Sequence, residues 1–147
     1  MRKPPDPPVG LRTADPREWM QVWARVIAAP SVKCVGSFCA HFADYETGAE
    51  IRPGTELLAK VCGMTGRTVI GALAQMREWD LIWRYSEGKK QGRRGMADVY
   101  RLTIPDDVLW RVPMLDPDWA AAVDNPLGSP ELRSPDLRSH DLYDRNM

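Results

Sequence analysis

The nine residues Glu87 to Gly95 read EGKKQGRRG, with four cations (Lys89, Lys90, Arg93 and Arg94) and three glycines. Long cations grouped this way bring several positive heads to one place. The glycines let the backbone come close to an anion and take dihedrals that other residues avoid. Contacts of that kind suit the phosphates of a polyanion: they hold and position it, they weaken with salt, and they carry little sequence information. The competing interpretation is a solvated hairpin tip that touches nothing.

The 147 residues carry 20 cations and 20 anions, yet the charge is unevenly spread. Residues 1–53 hold seven cations and six anions, residues 54–104 nine and five, and residues 105–147 four and nine. The segment charges are therefore +1, +4 and −5. A basic middle followed by an acidic end points to a polyanionic partner for the middle.

Other chemistry is sparse. Cys34, Cys39 and Cys62 are odd in number, and with His41 they match no zinc spacing, so reduced thiols and no metal are expected. There is no phosphate-binding Walker loop, no Ser-His-Asp grouping and no paired carboxylates on a shared face. The expectation is a non-enzyme without cofactor. No apolar run of about 18 residues exists and no apolar stretch follows the N-terminal cations, so a cytoplasmic protein without a membrane span or secretory signal is expected.

The elements that would position the basic stretch can be read from pattern. Residues 1–14, with four prolines, read as a flexible arm. Asp15-Pro16-Arg17-Glu18 suits a helix start, with Trp19, Trp23, Val26 and Ile27 on one stripe and Pro30 as its stop. Ser31 then caps a second helix, Val32 to about Ala43, whose stripe is Val35, Phe38, Cys39 and Phe42. Gly48 breaks it, and 49–52 is a short strand. A short helix over 54–61 leads through Cys62-Gly63-Met64 to Thr65, an N-cap for a helix over about 66–79. Val69, Leu73 and Met76, with Ala72 beside them, form its buried stripe. The period then changes to two. Residues 81–86 and 97–104 read as strands, the second with Tyr100, Leu102 and Ile104 on one face and Val99, Arg101 and Thr103 on the other. The basic stretch is the tip between them. A short helical extension covers 105–123. Residues 124–147 carry the repeats SPELR, SPDLR and SHDLY and read as a disordered acidic tail. The fold class expected is mainly α with a small antiparallel β-sheet, the main domain spanning 15–104.

This order of helix, strand, helix, turn, helix, strand, tip and strand resembles a winged helix-turn-helix, as found in bacterial, phage and plasmid regulators and replication proteins. Residues 31–104 carry the likeness. Pro53, Leu58-Ala59, Gly63-Met64-Thr65, Arg67-Thr68-Val69, Leu73, Leu81-Ile82 and the Tyr-Arg-Leu-Thr of 100–103 match the family's pattern. Gly54 stands in place of a serine cap, and Asp80 stands where glycine is frequent. Ile70 and Gly71 stand where polar or basic residues are frequent. The resemblance implies sequence-directed binding of double-stranded DNA, as a transcription regulator or an origin-binding replication protein, near the nucleoid.

Under that likeness Thr65 caps the recognition helix and leaves amides for a phosphate. Arg67 reaches a guanine edge or a phosphate, and Thr68 a phosphate. Ile70 touches a thymine methyl while Gly71 lets the helix lie closer. Gln75 lies farther along the exposed side, and Arg84 supports the charge of the wing formed by Lys89, Lys90, Arg93 and Arg94, whose arginines also suit a narrow minor groove. The alternative is a protein-interaction module that keeps the winged fold without base reading. A homodimer through the Trp19 and Trp23 helix and a protein partner for the tail are further expectations; the stripe that both tryptophans share with aliphatics points to core or dimer packing over base stacking.

Overall fold

The structure is a computed structural model, and it describes residues 3–88 and 97–118. The chain divides into two compact units, 1–114 and 115–147. Of the second, only residues 115–118 are described. The described residues form a mixed α/β fold of five helices and one three-stranded antiparallel sheet: β1 (Leu11–Thr13), α1 (Pro16–Trp23), α2 (Pro30–Phe42), α3 (Thr55–Cys62), α4 (Gly66–Glu78), β2 (Ile82–Ser86), β3 (Val99–Pro105) and α5 (Val108–Arg111). The strand order is β1-β3-β2.

α1 begins as its sequence suggests. Asp15 accepts a hydrogen bond from the Glu18 amide at 2.8 Å, and Pro16 opens the first turn. It ends earlier than expected, at Trp23. Val26 leaves the helix for an antiparallel bridge to Met114, and Ile27, expected on the apolar stripe, is exposed. Beyond the end of α1, the Lys33 ammonium donates to the carbonyls of Trp23 and Val26 and lies over the Trp23 ring. Burial holds the Lys33 pKa below its ordinary value. Pro30, expected to stop α1, instead opens α2: Ala29 is its extended N-cap, and Ser31 lies inside the helix. A proline fits this place because it fixes φ and has no amide to satisfy, while the residue before it is pushed to extended geometry.

Trp19 and Trp23 lie in the core, stacked with ring centroids 5.0 Å apart. The Trp19 indole N–H is shared between the carbonyls of Leu81, at 2.9 Å, and Thr103, at 3.2 Å, which ties α1 to the sheet. Of the core or dimer packing expected for these two side chains, the core packing is what is seen.

β1 falls in the segment expected to be a loose arm. It pairs with β3 in the register Leu11↔Pro105, Arg12↔Ile104 and Thr13↔Thr103. β3 is therefore the central strand, and all seven of its residues are buried, including the Arg101 and Thr103 of its second face. The strand expected over 49–52 reduces to a bridge from Ile51 to Tyr100. Ahead of it Gly48 has φ +73° and lies against the Ala14 carbonyl, where any side chain would collide.

Candidate nucleic-acid interface

α3 buries Leu58 and Ala59, while Leu57 and Val61 stay exposed. Its end is fixed by Gly63, at φ +69°. The Gly63 amide bonds the Lys60 carbonyl and the Met64 amide bonds the Ala59 carbonyl, which satisfies the last turn. Only Gly63, Met64 and Thr65 separate α3 from α4, and the helices are bent 104° apart.

Thr65 is the N-cap of α4. Its hydroxyl accepts from the Thr68 amide at 3.2 Å and lies 3.0 Å from the Thr68 hydroxyl. The first turn of α4 holds no acidic residue, so the partial positive charge of the helix start is not offset there. Val69, Ala72, Leu73 and Met76 are buried. On the other side Thr65, Arg67, Thr68, Ile70 and Gly71 are all exposed. Ile70 is 59% exposed, an unusual setting for a branched apolar side chain. Five expected site residues thus share one surface on the first half of α4. Gln75 is half-buried farther along.

Arg84, expected to lend charge to the wing, has its charge engaged. It pairs with Asp98 at 3.3 Å and with Glu87 at 3.8 Å. Asp98 also accepts from the Gly88 amide at 2.6 Å and the Tyr100 hydroxyl at 3.4 Å. Burial alone would raise the Asp98 pKa, but the hydrogen bonds from Gly88, Arg84 and Tyr100 outweigh it and hold the carboxyl below its ordinary value. Tyr100 is pushed the other way, to about 12, by burial and then by the Asp98 charge. Asp98 was not anticipated. The available signal was a lone carboxylate beside a strand, with Arg84 and Tyr100 close to it on the hairpin.

Lys89, Lys90, Arg93 and Arg94 lie outside the described residues, but Gly88 and Ala97, the nearest described residues on either side of them, are placed. Gly88 and Ala97 line a cleft of about 290 Å³ together with Ile70 and Leu73 of α4, Pro53 to Thr55 ahead of α3, and Asp98 and Tyr100. Asp98 therefore fastens the base of the basic stretch beside the exposed face of α4.

The cysteines are free thiols. Burial, and then the nearby Cys62, push Cys39 up to about 12. Burial, and then hydrogen bonding to Cys34, push Cys62 up to about 11. At neutral pH such values keep Cys39 and Cys62 as thiols. Among the described residues no group of three or more His, Cys, Asp or Glu side chains is placed to hold a metal, and no single helix is long and apolar enough to cross a membrane. Comparison of the chain with protein-family models, curated proteins and solved structures gave no match.

Proposed function

We propose that residues 31–104 form a winged helix-turn-helix that binds duplex DNA in a sequence-directed way. α4 enters the major groove and the basic stretch 87–95 holds the backbone. The protein then acts as a transcription regulator or an origin-binding replication protein, by binding and not by catalysis. The angle of 104° across a three-residue turn falls within the range of this motif. The observation that carries the proposal is the shared cleft. Ile70, exposed on α4, and Gly88 and Ala97, which flank the undescribed residues of the basic stretch, line it together, which supports a reading in which helix and wing act on one partner.

The test is binding to random-sequence duplex at two salt concentrations. It compares the natural chain with a variant carrying Lys89→Ala, Lys90→Ala, Arg93→Ala and Arg94→Ala. Four lost phosphate contacts should lower the slope of log affinity against log salt by about 3 to 4 units, since each contributes about 0.9. A natural chain that binds no duplex at low salt would sink the proposal.

A second reading rests on Ile70 and Gly71, which offer no hydrogen-bonding side chain to a base edge. In it the same surface grips a protein partner. It gains ground only if duplex binding is absent. A dimer built on α1 would use the face away from the buried Trp19 and Trp23, and a partner for the tail remains a proposal of the same kind.

A further inference from the structure

The outer side of the hairpin carries a charge that the fold leaves only partly answered. Arg101, in the central strand opposite Trp83, is 7% exposed. Among the described residues no carboxylate pairs with it. Its Nη1 donates to the Pro5 carbonyl at 2.6 Å, and its Nε is buried with no hydrogen-bond partner. A buried guanidinium is costly unless paired, and a buried unmatched N–H adds to the cost. One neutral carbonyl is weak compensation for a group built to hold two oxygens of an anion.

Beside it, Pro5 forms part of the wall of a cavity of about 340 Å³ whose polar lining is Lys3, Glu50, Arg52, Tyr85 and Ser86. The cavity is separate from the cleft at α4. Arg101 does not line the cavity but meets its wall through the Pro5 carbonyl, and counted with the lining it makes three cations to one anion. The Tyr85 hydroxyl accepts from the Glu50 amide at 3.1 Å and donates to Glu50 Oε2 at 3.5 Å, and its ring lies 5.5 Å from that of Trp83. Glu50 has φ 62°, a conformation rare for glutamate. Arg52 meets Glu50 Oε1 through both Nε, at 2.7 Å, and Nη2, at 2.5 Å, which leaves Nη1 as the main donor for a second acceptor.

We propose that this cavity binds a phosphate group, with the Arg101 guanidinium as its inner anchor and Lys3 and Arg52 as its rim. The Pro5 carbonyl occupies the place of one ligand oxygen and is displaced when the anion enters. The phosphate comes either from a small phosphorylated molecule or from a nucleic-acid backbone. The site stands on the sheet and the arm, and needs no DNA binding to exist.

The experiment uses the full chain and inorganic phosphate at matched ionic strength against chloride. The Arg101 Nε–Hε resonance should shift and saturate, and Tm should rise by about 5 °C at ten times the dissociation constant. Phosphate also stabilises proteins without binding, so two exposed positions provide the control. A Lys3→Gln, Arg52→Gln variant, which keeps the core intact, should lose most of the rise. Arg101→Met should lose all of it. A rise equal in all variants, or an Arg101 resonance that does not saturate, overturns the site. The source is settled by duplex affinity: a weaker Arg101→Met with a salt slope lower by about one unit assigns the phosphate to a nucleic acid. Unchanged duplex binding, or none in either protein, with the phosphate response intact assigns it to a small molecule.

Discussion

α2 and α4 have the same length, thirteen residues, and each carries a glycine in its interior, Gly36 and Gly71. A glycine there costs about 0.5–1 kcal/mol relative to alanine, so each invites an explanation. At Gly36 the chain supplies it, because a Cβ would overlap the Trp23 indole. The absent side chain lets α2 close on the stacked tryptophans of α1. At Gly71 a Cβ would meet nothing within 4 Å. The same residue type is thus explained from inside in one helix and has no internal explanation in the other. The two regions differ accordingly: the α1–α2 side is closed upon itself, while the α4 face is left open.

The strongest way to break this contrast is Gly36→Ala. Trp23 cannot swing aside freely. It is stacked on Trp19, its indole N–H donates to the Lys33 carbonyl at 3.3 Å, and Lys33 lies over its ring. Overpacking of this kind costs about 2–3 kcal/mol, a fall in Tm of roughly 10 °C or more. Thermal melts check it, and an unchanged Tm would mean that the close approach of α1 and α2 is not a constraint.

Trp19→Phe should act on the same side with a smaller effect. It keeps most of the apolar area but leaves the carbonyls of Leu81 and Thr103 without their shared donor. A loss of about 1–3 kcal/mol is expected from urea unfolding. A loss below a few tenths would show that those carbonyls find other partners.

How much of this was legible in the chain follows the range of the interactions. The α4 stripe and the Thr65 cap were readable because both are settled within four residues. The early stop of α1 was not, since Val26 leaves for a partner near residue 114. Pro30 was misassigned because proline both ends and begins helices, and the adjacent Ser31 offered a cap that the fold does not use. β1 has three residues and no periodicity to show, and its pairing lies at the far end of the sheet. The alternation gave the two faces of β3 but not the burial of both, since nothing local announces that the Pro5 carbonyl will meet Arg101. Arg84 was visible as a cation, but whether its charge is free depends on Asp98 and Glu87. Asp80 was readable as a departure from glycine. The fold answers it with φ 59°, which aspartate tolerates better than most residues, and with an ion pair to Arg111 at 2.9 Å.

On the open side the next effect is electrostatic. Asp98 has a depressed pKa in the fold, so its contribution is present above the unfolded aspartate value of about 3.9 and is lost as pH falls through the folded value. Asp98→Asn removes the charge at every pH. The stability gap between natural chain and variant should be constant from about pH 7 to 5 and should close below about pH 4. A gap of about 1 kcal/mol fits a charge-assisted set of this exposure. A gap that does not change with pH would show that the carboxylate charge is not what fastens the base of the hairpin.

The smallest effect is the most discriminating. Gly71→Ala should raise stability by about 0.5–1 kcal/mol, because the helix gains a better former and the new methyl meets nothing. Tm should rise by a few degrees. If α4 lies against duplex DNA, the same methyl stands between helix and groove, and affinity for the specific site should fall about three- to tenfold while the folded state is more stable. Melts and duplex titrations of one protein sample measure both. A Tm rise with unchanged affinity would mean that no partner approaches Gly71, and the contact surface would shift toward Thr65, Arg67 and Thr68. An unchanged or lowered Tm would mean that the space above Gly71 is filled within the chain, which removes the contrast with Gly36 altogether.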